Sequence, residues 1–423
     1  MSDQDNGQVS TLQRPTTDDP KTWKAYWKAQ GWPWRTEPEI DAEQQKYLAE
    51  RRSIMSDIEQ GIYPFGGIKL SRADVEWLLA THDNGRGPID WNDESQKKRT
   101  GLDLRGADLR QVDLHHLPLA CLNGGVNRSH WHETTLKQRI MAEIHLEKAS
   151  LRSAHLEAAC LTRAHLEGAD IGRTHLEGTD LYRAHLEGAT LFKAYLGGAS
   201  LRNAYLDTAT NLSNILFEDE NFGITLTADI HWSDVNLAVV NWKQLKVLGE
   251  ESVAKQSMTW TGQAKKKEEW LQGYRSAVRS NRQLAVALQS QGLNEDASHF
   301  AYRAQKLQRV VLRRQKKFGQ YLFSLLLDFL AGYGYRPGRS VIWYLVTILG
   351  FALAYSALGH LPFLPDSFVF SLTSFHGRGF FPGLGSENSL HNPLVIMAAF
   401  EAVIGLLVEI SFIATFTQRF FGR

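Results

Sequence analysis

The chain has 423 residues, which is long enough for two or three domains. Its 47 Lys and Arg side chains almost balance 46 Asp and Glu side chains, and the formal net charge of +1 argues against a nucleic-acid-binding protein. Two cysteines, Cys121 and Cys160, have no CxxC or Cys/His spacing, so we expect no disulfide framework, no metal site and no cofactor, and a reducing cytosolic location for this part. No nucleophile or phosphate-loop pattern points to an enzyme.

The average composition conceals a split in hydropathy. The mean hydropathy of −0.31 is that of a soluble protein. Residues 1–320 are polar, however, and nearly all long apolar runs come after Gly319. The N-terminal segment lacks the apolar stretch of a cleavable signal peptide, so none is expected.

The first hundred residues predict a tail and a small helical cap region. Residues 1–20 are rich in Asp, Gln and Thr and are predicted to be disordered. Residues 21–100 contain a cluster of tryptophans and the segment SRADVEWLLAT, which begins with a helix-capping Ser71 and Asp74 and continues with apolar residues at helical spacing.

A period of five residues dominates the region 101–245, with an interruption at 123–143 that we interpret as an inserted loop or helix. Apolar residues occupy thirteen consecutive positions five apart: Leu146, Leu151, Leu156, Leu161, Leu166, Ile171, Leu176, Leu181, Leu186, Leu191, Leu196, Leu201 and Leu206. Two residues before each position lies Ala, Thr or, once, Ile. Five is neither the period of a helix nor that of a strand, and so strict a repeat predicts a stacked solenoid. If each pentad forms one side of a square coil, the Leu and the small residue both point inward.

The pattern A-[DHY]-L-x-x resembles the pentapeptide-repeat family, over roughly residues 101–211. The resemblance implies a right-handed quadrilateral β-helix.

A second period, of ten residues, lies within the solenoid. His residues precede the core Leu at His145, His155, His165, His175 and His185, and Glu residues follow it at Glu147, Glu157, Glu167, Glu177 and Glu187. Ten residues make half a turn of a four-pentad coil, so these residues are predicted to form ladders on two opposite sides. The ladders are interpreted either as a solvated face on which His and Glu pair locally, or as a pH-sensitive or metal-binding sensor surface.

Between the solenoid and the apolar runs, residues 250–318 predict a cytosolic helical hairpin broken at Gly292. Its basic run, residues 313–317, would lie at an anionic leaflet. Residues 319–335 begin with a short apolar segment that carries Asp328, which predicts an interfacial helix along the membrane surface.

Two segments, 340–358 and 392–416, are apolar and long enough to cross a bilayer. Arg336 and Arg339 precede the first segment, and arginines also follow the second. The positive-inside rule therefore predicts a multi-pass protein of the cell membrane with both termini in the cytoplasm.

The segment between the two spans is predicted to re-enter the bilayer as a pore helix and filter, residues 366–383. An apolar helix-length stretch that starts with Asp366 is followed by a Gly-x-Gly turn, Gly377-Arg378-Gly379. Irregular backbone at membrane depth is tolerated where it is buried in protein or lines water, and carbonyls of such a turn suit an ion filter.

Here the chain resembles the two-transmembrane potassium-channel superfamily, and its second span the inner helix of inward-rectifier channels. The E-x-x-x-G pattern of that helix falls on Glu401 and Gly405, with Glu409 four residues further on. The resemblance implies a gating hinge at Gly405, a cavity position for Glu409 and a filter at Phe375, His376, Gly377, Arg378 and Gly379, in place of the family's TVGYG.

The substitutions in the filter sequence allow two possibilities for the ion that permeates. If Arg378 points behind the filter it needs a carboxylate, and Glu401 is the expected partner and filter support. A cation pore of weak or unknown selectivity is then favoured. If Arg378 faces the path, the pore passes anions.

The prediction is therefore a multidomain membrane protein that works as a homotetrameric channel. The solenoid is a regulatory or assembly domain and residues 340–423 are the pore domain. Its partners are copies of itself, inorganic ions and the lipid bilayer. The alternative is a solenoid scaffold or binding protein with the spans as a membrane tether.

Overall fold

The computed structural model describes residues 14–17, 19–131, 133–259, 262–360, 362–377 and 393–420. The chain forms two compact units, Met1–Lys265 and Lys266–Arg423. Each unit is described by itself.

The first unit begins with short helices that cover the start of the solenoid. Side-chain caps begin three of them, since Asp19, Asp41 and Ser71 each accept a hydrogen bond from a first-turn backbone N–H. Ser71 and Asp74 form the reciprocal capping box that the sequence predicts. The helices are α1 (Pro20–Ala29), α2 (Ala42–Arg52), α3 (Arg72–Ala80) and the one-turn α4 (His82–Gly85).

The repeat region is a β-helix with four pentads in each coil. Parallel bridges join residues twenty positions apart, such as His165 with His185 and Asp170 with Thr190. The Leu and Ala positions point inward, and Leu156 and Ala164 are each 0% exposed. The β-helix predicted from the period of five is therefore confirmed. Backbone pairing extends it to His231, past the two short strands β1 (Glu218–Asp219) and β2 (Gly223–Ile224).

The insertion begins later than the predicted residue 123. Asn123 still pairs with Asp103 and Cys160 in neighbouring coils. The two glycines that follow remain in the coil because they lack side chains: a Cβ at Gly125 would collide with the backbone of Thr162. The insertion itself contains a short helix, α5 (Leu136–Met141).

The predicted hairpin also begins later than residue 250. Helix α6 (Gly249–Lys255) belongs to the first unit, where the buried Glu250 accepts hydrogen bonds from the backbone N–H groups of Thr227 and Ala228. This carboxylate satisfies donors at the last coil of the β-helix. The hairpin proper is α7 (Lys267–Ser290) and α8 (Asn294–Arg314), joined by a turn in which Gly292 has a φ of +75°.

Among the described residues, the rest of the second unit has four α-helices, besides a 3-10 turn at Gly332–Gly334 and a π-helical turn at Phe363–Ser367. The α-helices are α9 (Phe318–Ala331), α10 (Pro337–Gly359), the eight-residue α11 (Phe368–Phe375) and α12 (Pro393–Phe420). Helix α9 stops at Ala331, short of the predicted residue 335, because Gly332 takes a left-handed conformation with a φ of +53°.

Two of these helices are long and apolar enough to cross a membrane. Gly338–Gly359 in α10 has 22 residues and Pro393–Thr417 in α12 has 25. We call them the first span and the second span. At 1.5 Å per residue, each matches the hydrocarbon core of about 30 Å.

Candidate functional site

Helix α11 lies between α10 and α12 and ends at the middle of both spans. The midpoint of the first span falls beside Ile348, and that of the second span is Gly405. The Ser371 hydroxyl oxygen of α11 lies 2.9 Å from the Ile348 carbonyl oxygen. The last residue of α11, Phe375, packs against Gly405, where a Cβ atom would lie 3.0 Å from the Phe375 carbonyl carbon and closer still to its oxygen. We call these facing residues of α10, α11 and α12 the α11 site.

A fully buried glutamate ties the three helices of the α11 site together. Glu401 of α12 is 0% exposed. One carboxylate oxygen accepts a hydrogen bond from the Tyr355 hydroxyl of α10 at 2.8 Å, and the other accepts from the Ser371 hydroxyl of α11. Because a buried carboxylate without donors is costly, the two hydroxyls fix where α11 docks.

A second polar pair lies just beyond the end of α11. The Nδ1 atom of His376 contacts the Glu409 carboxylate of α12, and its Nε2 atom lies 3.2 Å from the Tyr344 hydroxyl of α10. The His376 and Glu409 side chains are 38% and 34% exposed. This pair is therefore only partly covered by the described residues.

The predicted filter residues fall partly within the described residues. The Phe375 ring is 1% exposed and packs with Leu330, Ile348 and Val408, so this side chain belongs to the core. Gly377 follows α11 with a φ of +66°, and its N–H donates to the Ser374 carbonyl at 2.9 Å.

Arg378 and Gly379 lie outside the described residues, so the predicted pair of Arg378 and Glu401 stays a prediction. The sequence reasoning missed Ser371 and Tyr355 as partners of Glu401. A carboxylate in an apolar span indicates that hydrogen-bond donors must be near. No sequence pattern, however, identifies which hydroxyl on a neighbouring helix is the donor.

The start of the first span is joined to the hairpin by Asp328 of α9. Its carboxylate accepts hydrogen bonds from Arg309 and Tyr302 of α8 at 2.7 and 2.9 Å, and from Arg339 at 3.3 Å. Partial burial alone would raise the pKa of Asp328, but the hydrogen bonds from Arg309 and Tyr302 outweigh it and hold that pKa below its usual value.

Helix α9 also has a side that is apolar and exposed. The exposed large hydrophobic residues form a broad stripe: Phe318, Leu322, Phe323, Leu325, Leu326 and Phe329. An amphipathic helix of this kind suits the boundary between water and hydrocarbon.

In the first unit, the histidines of the ten-residue period stand in two stacks. In the first histidine ladder, His165 stacks between His145 and His185 with ring centroids 4.8 and 5.2 Å apart. In the second histidine ladder, His155 and His175 stack at 4.8 Å. Each Nδ1 faces the Glu two residues later at 2.8 to 3.3 Å.

The two ladders differ at their centres. In the first ladder, Glu143 adds a contact to His165 Nε2 at 3.0 Å and also pairs with Arg163. The hydrogen bond to Glu143, with that to Glu167, raises the pKa of His165 to about 9. His165 is therefore protonated at neutral pH, which agrees with the interpretation of the ladders as local His and Glu pairs rather than with a sensor that titrates near neutrality.

The comparisons with known proteins identify the repeats. The sequence model of the pentapeptide-repeat family matches residues 132–168 and 169–207. No curated protein sequence matches the chain.

Three solved structures are similar to the repeat region. HetL from the cyanobacterium Nostoc sp. strain PCC 7120, involved in heterocyst differentiation regulation, is 28% identical, with 30% of this chain and 52% of HetL covered and a TM-score of 0.20. The match thus spans about half the length of HetL. A pentapeptide-repeat protein of the Arabidopsis thaliana thylakoid lumen is 20% identical, with 40% and 87% covered and a TM-score of 0.15. Rfr23 from Cyanothece 51142 is 24% identical, with 30% and 88% covered and a TM-score of 0.13.

The family match and the four-pentad backbone register agree on the same residues. The first unit of this chain therefore contains a pentapeptide-repeat β-helix.

Proposed function

We propose that the chain forms a homotetrameric ion channel in the cell membrane, with the pentapeptide-repeat β-helix as a cytosolic regulatory or assembly domain. In this proposal α10 is the outer helix, α11 the pore helix and α12 the inner helix. The observation that carries it is the position of α11, whose last residue lies against the midpoint of the second span.

A chain that ends a helix at the middle of a bilayer needs water or protein around its backbone. The last carbonyl groups of a helix lack partners within it, and hydrocarbon cannot satisfy them. In α11 the Gly377 N–H satisfies the Ser374 carbonyl, and the other terminal carbonyls need donors from water or protein. A membrane tether requires no such excursion. A water-filled pore gives the excursion a physical reason, and the negative end of the α11 dipole at mid-membrane favours a cation there.

The pair of His376 and Glu409 supports the same proposal. About one third of each side chain is open in a single protomer, at a level where facing hydrocarbon would be costly. Two spans and one re-entrant segment cannot enclose an axis alone. Several copies can, and the resemblance to two-transmembrane channels makes that number four.

The carboxylate of Glu409 favours a cation pore of weak or unknown selectivity. The alternative is an anion pore, in which Arg378 faces the conduction path. A measured reversal potential distinguishes the anion pore from the cation pore. Helix α9 would lie in the membrane surface through its stripe of exposed apolar residues.

The test uses the purified full chain, with its oligomeric mass measured first and its currents then recorded in planar bilayers with asymmetric KCl. We expect unitary currents that reverse toward the potassium equilibrium potential. Reversal toward the chloride potential would establish the anion pore. A membrane-inserted oligomer that passes no current would refute the channel and leave the tethered scaffold.

Two variants test whether Glu409 lines the pore cavity. We expect Glu409→Gln to weaken block by internal polyvalent cations, because those cations lose a carboxylate in the cavity. Glu50→Gln is the matched control, since this carboxylate lies on α2 with its side chain 66% exposed. Unchanged block in Glu409→Gln would contradict a position of Glu409 in the cavity.

A further inference from the structure

The second histidine ladder brings together three groups that are typical metal ligands. Ligand atoms of His155, Glu157 and His175 all lie within 4.8 Å of one another. His155 Nδ1 is 2.8 Å from the Glu157 carboxylate, and the two imidazoles are parallel to within 3°. The coils are held in this register by the backbone, since the Leu156 N–H donates to the His175 carbonyl at 2.8 Å.

The carboxylate in this cluster is buried, and only one of its two oxygens contacts a hydrogen-bond partner. Glu157 is 6% exposed. Its Oε2 atom is buried and has no hydrogen-bond partner among the residues that the structure describes. An uncompensated buried carboxylate oxygen is costly, and a bound cation would remove that cost.

The first histidine ladder also holds two groups of possible metal ligands, His145 with Glu147 and His165, and Glu167 with His185 and Glu187, but His165 and Glu167 are already engaged with each other. There Glu143 pairs with Arg163 and with Nε2 of His165, and Glu167 holds the Nδ1 atom. Both ring nitrogens of His165 are therefore engaged, and a protonated imidazole is not a metal ligand. In the second ladder, Nδ1 of His155 and of His175 also contacts a carboxylate, at 2.8 and 3.0 Å. Among the described residues, however, no counterpart of the Glu143 contact engages Nε2 of either ring.

We propose that His155, Glu157 and His175 bind one divalent transition-metal ion of the zinc type, on the face of the β-helix opposite the first ladder. Two imidazoles and one carboxylate are ligands that suit zinc and its neighbours. Three protein ligands leave the fourth tetrahedral position to water. Metal–nitrogen bonds of about 2.0 Å place tetrahedral ligand atoms about 3.3 Å apart. His155 Nδ1 and the Glu157 oxygen, now 2.8 Å apart, would move slightly apart, and ligand atoms that are further apart would approach. Rotation of exposed imidazoles provides that movement without any change in the coil.

The test is isothermal titration of ZnCl₂ into the chelator-treated full chain in detergent. We expect one tight site per chain. His155→Ala with His175→Ala should weaken binding at least about 100-fold, because even loss of an outer-shell partner costs 10- to 100-fold. Glu157→Gln should weaken it as well, with imidazole ligands unchanged.

The matched control is His145→Ala with His165→Ala, which removes the same residue types from the opposite ladder. It should keep the affinity within about tenfold of the unaltered chain. Titration with CoCl₂ gives a second readout, because tetrahedral Co²⁺ ligated by the protein absorbs visible light, and that band should vanish only in the second-ladder variants. Circular dichroism would establish that each variant is folded.

The absence of a tight site, or equal losses in the two double variants, would overturn the proposal. Neither readout depends on ion conduction, so a failure here is distinct from a failure of the proposed channel.

Discussion

Replacing Gly405 by alanine tests the packing of α11 at the middle of the second span. The new Cβ would lie 3.0 Å from the carbonyl carbon of Phe375 and 3.1 Å from its Cγ, with the carbonyl oxygen closer still. Carbon atoms in good contact are about 3.5 to 4.0 Å apart. Most of the overlap is with backbone, so relief requires α11 to move away, and that movement would strain the bond between Ser371 and Glu401.

The expected loss of stability in Gly405→Ala follows from two opposing effects. Overpacking of a tight core costs about 1–3 kcal/mol, and backbone overlap places this site near the upper end. Alanine regains about 1 kcal/mol of helix propensity over glycine. The net loss is then about 2 kcal/mol, or about 30-fold in the folding equilibrium.

The control is Gly350→Ala in the first span. A Cβ at Gly350 meets no heavy atom within 4 Å among the described residues. This substitution therefore keeps the propensity gain without the overlap, and we expect it to be neutral or stabilising.

The assay is thermal unfolding of the detergent-solubilised full chain, followed by size-exclusion chromatography after heating. Gly405→Ala should melt several degrees below the unaltered chain and Gly350→Ala at or above it. Equal stability of all three would refute the packing argument. Altered gating at unchanged stability would favour the hinge predicted for Gly405.

Three other predictions concern the polar contacts. Tyr355→Phe removes one hydrogen-bond donor from the buried Glu401 and should cost about 1–3 kcal/mol of stability, measured as a lower melting temperature. An unchanged melting temperature would contradict a stabilising hydrogen bond between Tyr355 and Glu401. Asp328→Asn should melt lower at neutral pH, and the gap should close as the pH falls below about 4, because a carboxyl with a depressed folded pKa stabilises only above its unfolded pKa; a gap independent of pH would argue against it. The His165 ring should titrate near pH 9 by NMR, with its stabilising effect complete below about pH 6.5 and lost as the pH rises through about 9; titration near neutrality would disprove the double carboxylate contact.

The fold of the first unit was readable because each coil contacts only its neighbours. A strict spacing of five places every Leu and Ala inside, and the ten-residue spacing stacks His145 on His165. Features that depend on distant segments were not readable in this way. The repeat pattern stops at residue 123 because Gly124 stands where the core Leu would be, although the backbone of Asn123 still pairs. The sequence groups α6 with the hairpin because nothing local links Glu250 to the last coil.

The α11 site was predictable in outline but not in its contacts. Apolar length marks the two spans, and Glu401 and Glu409 stand out because they are charged residues in apolar helices. Their described partners, Tyr355, Ser371 and His376, come from other helices. Such pairs arise from packing between segments that no period relates.

In the proposed channel, the chain between the spans returns to the middle of the bilayer around a shared axis. Electron cryo-microscopy of the full chain in lipid nanodiscs tests this arrangement. We expect a fourfold particle in which the C-terminal end of α11 lies at the centre of the lipid disc, beside Gly405 and close to the symmetry axis. A monomer, or a segment 363–377 that lies outside the lipid, would contradict it.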